Sequence, residues 1–544
     1  MEMVSLSLPA TNRFATNYLE QTAEIQRYFH YSYQKPSDFK KRLLEIRNRS
    51  FMRNELAGFI EQYMAKFPTS NEVTSSIKKL TNDDCVVVIG GQQAGILTGP
   101  LYTIHKIISI IHLAKQKEDE LGIPVVPVFW IAGEDHDYQE INHIYLEKNH
   151  KMEKIIYPEK IMDKKMSSDI PLDKEVCLDW LKNILEHLGE TEYTKDLLAF
   201  FQLAIQRSTS FVDFFAYVIM ELFKDQGLLI VDSGDPELRS LEKEILLKQI
   251  KSYQIVTDCV KKQQAELGKD GFVNVIEISE HACNLFYYDE VGKERVLLLF
   301  DKDKQSFVGK SGNIEFSFED LLFIAENHPE KLSNNVVTRP ITQEWLFPTL
   351  AFIGGPGEIA YWAELKKAFE AMDMKMPPIV PRLNITLLER SIDTDLNELD
   401  ISLEHVLRLG VGKELEQFLR SVSNKQVDEL LKQAKSDLME QYQMIEELLM
   451  NEDRGILPLL MKNKSLIAGQ IDFIKGKIED SVKRKHEVTM NKYKRVENSL
   501  KPIGSPQERL WNSLYFMNKY GMHFVHELLK LEYAFDGKHY VVKI

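Results

Sequence analysis

At 544 residues, with 44 % hydrophobic and 28 % charged side chains, the chain has the size of two to four domains and the composition of a folded protein, which excludes a lone small module and a disordered polymer. Lys and Arg number 68 against 82 Asp and Glu, and the resulting charge of −14 repels a phosphate backbone, so general nucleic-acid binding is disfavoured. The four cysteines, Cys85, Cys177, Cys259 and Cys283, contain no CxxC pair and fit neither a disulfide framework nor a zinc site; a reducing cytoplasm is the expected compartment.

The opening Met1-Glu-Met-Val-Ser-Leu has an acid where a secretion signal carries bases. The longest apolar runs, Ile107–Ala114 and Val125–Ala132, fall far short of the ~20 residues of a membrane span. The first eighty residues read mainly as helices, with apolar Leu43, Leu44, Ile46, Phe51 and Leu56 at helical intervals across Lys40–Phe59. Cys85-Val-Val-Val-Ile-Gly-Gly is a β-branched run ending in paired glycines. Thr98-Gly-Pro then opens a helical pattern through Leu113, and Pro124–Gly133 supplies a second buried strand: one βαβ unit of a parallel sheet. A third such run, Gly227–Asp235, follows too far on for a simple crossover.

Residues 270 to 332 read as a small β-rich segment with strands at Val273–Ile278, Asn284–Tyr288, Arg295–Phe300 and Asn313–Phe316. Ala351-Phe-Ile-Gly-Gly-Pro-Gly-Glu-Ile begins another glycine turn into a helix, and Pro377–Arg382 gives a last short strand. Beyond 391, Val427, Leu431, Ala434, Leu438, Ile445 and Leu448, then Ile467, Ile471, Ile474, Ile478 and Val482, mark two helices joined at Gly455-Ile-Leu-Pro. The expected fold is α/β: a parallel-sheet core (1–142, 226–269, 333–390) interrupted by insertions at 143–225 and 270–332, an antiparallel helical coiled coil at 391–500, and an aromatic segment at 501–544 that packs back on the core.

In such sheets ligands bind at the carboxyl ends of the strands, and three polar clusters fall there. In Gly90-Gly-Gln-Gln-Ala-Gly-Ile-Leu-Thr-Gly-Pro, the side chains of Gln92, Gln93 and Thr98, with Tyr102 beyond them, are suited to substrate oxygens; the run is neither GxGxxG nor a P-loop. Gly133-Glu-Asp-His-Asp-Tyr places Glu134, Asp135, His136 and Asp137 at a sheet edge, able to orient an amine, act as acid and base, or hold a divalent cation. In Gly354-Gly-Pro-Gly-Glu-Ile-Ala-Tyr-Trp, Glu358 and Tyr361 share a helix face. His105 and Lys106, set among isoleucines, read as packed core residues. Arg382, Asn384, Arg509 and Lys501 are candidates for a cationic phosphate niche, with ion pairing to Glu508 and Glu389 as the alternative. No metal ligand set is assigned.

These motifs, above all Val88–Thr103, Phe129–Asp137, Phe352–Trp362 and Pro502-Ile-Gly-Ser-Pro-Gln-Glu-Arg, make the chain resemble, over its whole length, the cysteine ligases of bacillithiol biosynthesis. The resemblance implies a Rossmann-like core with two connecting-peptide insertions and a coiled coil used for homodimerisation. It implies ligation of L-cysteine to the amine of glucosaminyl-malate as the last step to bacillithiol. Glu134, His136 and Asp137 would then be the catalytic residues and Gln92, Gln93, Thr98, Tyr102, Glu358 and Tyr361 the substrate-binding ones. Arg382, Asn384, Thr386 and Arg509 would bind a nucleotide, ATP or ADP. A clean HxGH signature is absent, Thr103-Ile-His-Lys standing in its place, and Lys165-Met-Ser-Ser, which imitates half of a synthetase signature, lies in the first insertion. A nucleotidyltransferase acting on another metabolite and a non-catalytic coiled-coil protein are the competing classes.

Overall fold

The computed structural model describes the chain except for residues 161–163, 290–292, 311 and 313. It divides into two compact units, one of residues 1–148, 153–387 and 507–544, the other of 149–152 and 388–506.

The first unit is built on five parallel strands: β1 (Val86–Gln92), β2 (Val125–Ile131), β3 (Leu229–Asp232), β4 (Thr349–Gly354) and β5 (Ile379–Pro381). Their spatial order is β5-β4-β1-β2-β3, with Ile89 beside Val128 on one side and Phe352 on the other. β2, β3 and β4 are buried along their whole length, which is why they read as unbroken apolar runs rather than alternating ones. The chain moves outward from β1 through β2 to β3, then returns to the other side of β1 as β4 and β5. The switch point of the sheet therefore lies between β1 and β4, where helices leave in opposite directions and a cleft opens.

Helix α1 (Tyr102–Leu121) follows β1 and ends at Gly122 in the left-handed conformation. It starts four residues later than Thr98, with His105 at the end of its first turn and Lys106 one turn after Tyr102. The intervening Ile96–Thr98 form a tight turn in which Leu97 (φ 52°) and Thr98 (φ 76°) adopt left-handed backbone. Such residues cost on the order of 1–3 kcal/mol each and persist only when their surroundings hold them. Here Asn512 Nδ2 donates to the carbonyls of Leu97 (2.9 Å) and Gly99 (2.6 Å), and Thr98 Oγ1 meets Ser513 Oγ at 2.9 Å. Helix α2 (Pro356–Trp362) follows β4, with Pro356 in its first turn and the Glu358 carboxylate accepting from Gly355 N at 2.8 Å.

The sequence expectations need correction in several places. Lys40–Phe59 belongs to two helices, Pro36–Arg47 and Arg53–Met64. Glu2–Leu6, in the region expected to be helical, is a strand paired antiparallel with His539–Lys543. Val273–Ile278 is not a strand: Val273 is 91 % exposed, and the N–H groups of Val275 and Ile276 donate to the buried Glu364 carboxylate instead of to a ladder. The other strands form, as Ala282–Asp289, Glu294–Asp301 and Glu315–Phe316, and Asn313 lies outside the described residues. Ser306–Gly309 and Leu332–Asn334 complete this five-stranded antiparallel sheet. It packs Leu285, Leu298 and Phe307 on Leu246 and Ile250 of the helix Lys243–Lys269.

The second unit holds α3 (Lys425–Glu452) and α4 (Leu457–Lys485), linked by a tight turn at Arg454–Ile456. Lys435 on α3 binds Asp472 on α4 at 2.6 Å, and Lys464 approaches Glu446, so the pair is antiparallel. Among the described residues of the two helices only Ala468 is buried, while Leu430, Leu448, Leu459 and Phe473 stay exposed. Among the described residues no helix is long and apolar enough to cross a membrane.

Candidate functional site

At the switch point the chain leaves a crevice of about 530 Å³, lined from the ends of β1, β2 and β4 and the first turns of α1 and α2. The Gln-Gln turn contributes Gly91, Gln92 and Gln93, the acidic loop Ala132 and Asp135, and the Gly-Pro-Gly turn Gly355, Pro356, Gly357 and Glu358. The third segment lies more than two hundred residues beyond the other two, and all three meet here as expected.

Lys106 ties two of them together. One helical turn after Tyr102, its ammonium donates to Gly91 O (2.7 Å), Gln92 Oε1 (3.1 Å) and Glu358 Oε2 (2.5 Å), using all three of its protons. Burial holds its pKa below the usual lysine value, with Glu358 opposing and Arg382 and Arg339 adding to the effect. Expected from its isoleucine neighbours to be a packed core residue, Lys106 is buried but lines the crevice. The available signal was the physical cost of an ammonium among isoleucines, which only a set of carbonyl and carboxylate partners offsets.

In the acidic loop, neighbouring side chains point opposite ways. Asp135 faces the crevice: its Oδ2 accepts from Gln93 Nε2 at 2.6 Å, and its backbone carbonyl accepts from Ser167 N (2.8 Å) and Ser167 Oγ (2.7 Å). Glu134 faces away; it is 3 % exposed and accepts from Arg239 at 2.6 Å and Asn334 N at 3.2 Å. His136 packs beside Phe286, and Asp137 is exposed; neither lines the crevice. Of the four loop residues, the one left out of the expected catalytic set is the one that reaches the site.

Beneath the loop, Gly133 is required by space, since a Cβ there would lie 1.9 Å from Asp232 Oδ1 and 2.1 Å from Ser168 Oγ. Ser168, part of the Lys165-Met-Ser-Ser run, donates to Asp232 at 2.7 Å, so that run does bear on the site. Burial pushes the Asp232 carboxyl up to about 7, against hydrogen bonds from Gly234 and Ser168 that favour the anion. The folded group thus keeps a proton that an unfolded aspartate loses near pH ~3.9, and stability falls as pH rises between those values, by up to about 1.4 kcal/mol per pH unit. Asp232→Asn is expected to flatten that slope; urea midpoints that fall from pH 5 to pH 7 as steeply as in the wild type would refute this.

The crevice is also lined by the cationic Arg339, Arg382 and Arg509 and by the rings of Tyr102, Trp130 and Tyr361. Arg382 forms a bidentate pair with Glu508 (2.8 and 2.6 Å), so ion pairing prevails over a free phosphate niche at this residue. Thr386 is buried against His539 at 2.8 Å, and Asn384 lies off the crevice lining. Lys501, in the second unit, donates to the carbonyls of Leu407 and Arg408. Of the four residues expected to hold a nucleotide, Arg382 and Arg509 line this crevice, while Asn384 and Thr386 do not. Arg339 binds the Tyr361 hydroxyl (2.7 Å) and Gln343 (3.1 Å), and among the described residues neither it nor Arg509 has a carboxylate ion pair. Thr98 is buried against Ser513 and is a latch of the turn rather than part of the lining.

A parallel sheet with a charged crevice at its switch point, two insertions and a separate helical hairpin defines a Rossmann-like protein with a coiled-coil unit. Residues 1–383 match the N-terminal Rossmann-like domain of bacillithiol biosynthesis BshC, and residues 385–544 match its C-terminal coiled-coil domain. Over 544 residues and the full length of both chains, it is 45 % identical to a protein named "Putative cysteine ligase BshC" from Geobacillus sp. strain WCH70. Proteins of the same name from Geobacillus thermodenitrificans and Bacillus cereus strain AH187 are 42 % and 40 % identical, again over the whole of both chains. The chain belongs to the BshC family of bacillithiol biosynthesis.

Proposed function

We propose that the crevice joins the carboxyl group of L-cysteine to the amine of glucosaminyl-malate, giving bacillithiol. The observation that carries this reading is one crevice lined by both carboxylates, Asp135 and Glu140, and guanidinium groups, Arg339 and Arg509, together with the Lys106–Glu358 pair. Guanidinium groups without acidic partners suit the two carboxylates of a malate moiety. A carboxylate in the same crevice suits an ammonium group and can accept its proton as the nitrogen attacks the cysteine carbonyl carbon. The C–N bond forms as the acyl C–O bond to an activating group breaks, that group departing with the oxygen. Because amide formation from free carboxylate and ammonium is uphill in water, the cysteine carboxyl must arrive activated.

The test is incubation of the purified protein with L-cysteine and glucosaminyl-malate, with and without ATP, and mass spectrometry of the thiols formed. Bacillithiol is the expected product, and cells lacking the chain should accumulate glucosaminyl-malate. Normal bacillithiol in such cells, without another route, would overturn the reading. The uncovered apolar side chains of the hairpin, Leu430, Leu448, Leu459 and Phe473 among them, support pairing with a second copy. Light scattering on the same preparation should give twice the 63.2 kDa chain mass, and a monomer would exclude it.

A further inference from the structure

The reading above leaves unused a buried arginine contributed by the β-rich insertion. Arg295, on the strand Glu294–Asp301, is 6 % exposed, and its guanidinium lies over the Phe286 ring at 3.9 Å. Nε donates to Ser333 Oγ at 2.8 Å and Nη2 to the carbonyl of Asn334, which anchors the fork to the insertion's own edge strand. The remaining nitrogen reaches into the acidic loop: Nη1 is 3.4 Å from His136 Nδ1 and 3.8 Å from Asp135 Oδ1, while Nη2 is 3.9 Å from Glu134 Oε2. One planar group therefore touches three consecutive residues of the loop from a segment some 160 positions away.

We propose that Arg295 is a positioning residue for the reaction: its guanidinium fixes the 134–136 segment so that Asp135 points into the crevice while Glu134 points away. This rests on the assignment of Asp135 as the amine-facing carboxylate. The fork geometry suits such a role, since five donors in one plane hold several acceptors at fixed angles, which a point charge cannot do. The groups facing His136 are Arg295 from the inserted sheet, Lys164 from the first insertion, Asp135 and Asp137 on its own loop, and the Phe286 ring. Burial first, then Arg295, lowers the His136 pKa, with Asp135 opposing, so the imidazole is neutral and its Nδ1 can accept from the guanidinium.

Arg295→Gln and Arg295→Lys, made in the full chain, test this, with thermal melts to show folding and the His136 ring titrated by NMR against a His136→Asn reference. In Arg295→Gln, turnover is expected to fall about 10²-fold, as a small misplacement of a reacting group does, with KM for cysteine little changed. The His136 midpoint and the acidic limb of the rate profile should both move to higher pH, a response that loss of packing alone does not produce. Arg295→Lys keeps the charge but not the fork, and is expected to lose about tenfold in turnover. An Arg295→Gln protein that folds and keeps both its turnover and the wild-type His136 midpoint overturns the proposal. If that variant does not fold, Arg295→Lys with turnover within about twofold of wild type overturns it. Loss of activity in Arg295→Gln with full activity in Asp135→Asn would defeat the assignment of Asp135. Loss in Asp135→Asn with full activity in Arg295→Gln would defeat only the role of Arg295.

Discussion

Asp135→Asn is expected to lower turnover by ~10²–10⁴-fold while leaving the fold intact. The substitution keeps the size of the side chain and an oxygen able to accept from Gln93 Nε2, so the loop retains its geometry and only the negative, proton-accepting group is lost. Removing a carboxylate that takes a proton in the transition state acts on turnover; removing one that merely holds the bound ammonium acts mainly on KM. The measurement is steady-state kinetics at saturating cysteine and glucosaminyl-malate. Turnover within about threefold of wild type would sink the assignment. Asp137→Asn, whose carboxylate is exposed and off the crevice, should change turnover by less than that.

The largest expected effect on stability is at Glu508. Its carboxylate is buried, takes two bonds from Arg382 and one contact from His105 at 3.0 Å. Burial by itself would raise its pKa, but the Arg382 charge and the hydrogen bonds from His105 and Arg382 outweigh it and hold the group far below the usual carboxylate range. A carboxyl with a depressed pKa contributes stability that is present above the unfolded value near ~4.3 and is lost only as pH falls through the folded one. The pair is therefore fully formed at neutral pH. Glu508→Ala strands the Arg382 guanidinium without its counter-charge and is expected to cost about 3–5 kcal/mol, read by urea denaturation at pH 7. A double replacement, Arg382→Met with Glu508→Leu, should recover much of that loss because no buried charge is left over. A single variant as stable as the wild type would show that the pair is solvated.

Much of the sheet was legible because its strands are apolar, buried runs, β1 to β4 ending in or near glycines and β5 flanked by prolines, so that each leaves a local mark in the sequence. The meeting of the Gln-Gln, acidic and Gly-Pro-Gly segments followed from the rule that sites form at carboxyl ends of strands. Side-chain direction within a loop was not legible. Glu134 and Asp135 are chemically alike and adjacent, and what draws Glu134 away from the crevice is Arg239, 105 positions away, together with Arg295 further on. Val273–Ile278 has strand-like composition, but Glu364, nearly ninety positions distant, takes the N–H groups a neighbouring strand would have used. Periodicity reports burial and says nothing about such remote partners.

The left-handed turn at Leu97–Thr98 is held by Asn512 and Ser513. During synthesis, every strand of the parallel sheet leaves the ribosome well before those two residues do. A nascent chain that has emerged only to about residue 500 thus has its scaffold but not the clasp that keeps the mouth of the first helix in shape. Competence for chemistry arrives late in translation, and unfinished or C-terminally clipped chains should be inert even where they fold.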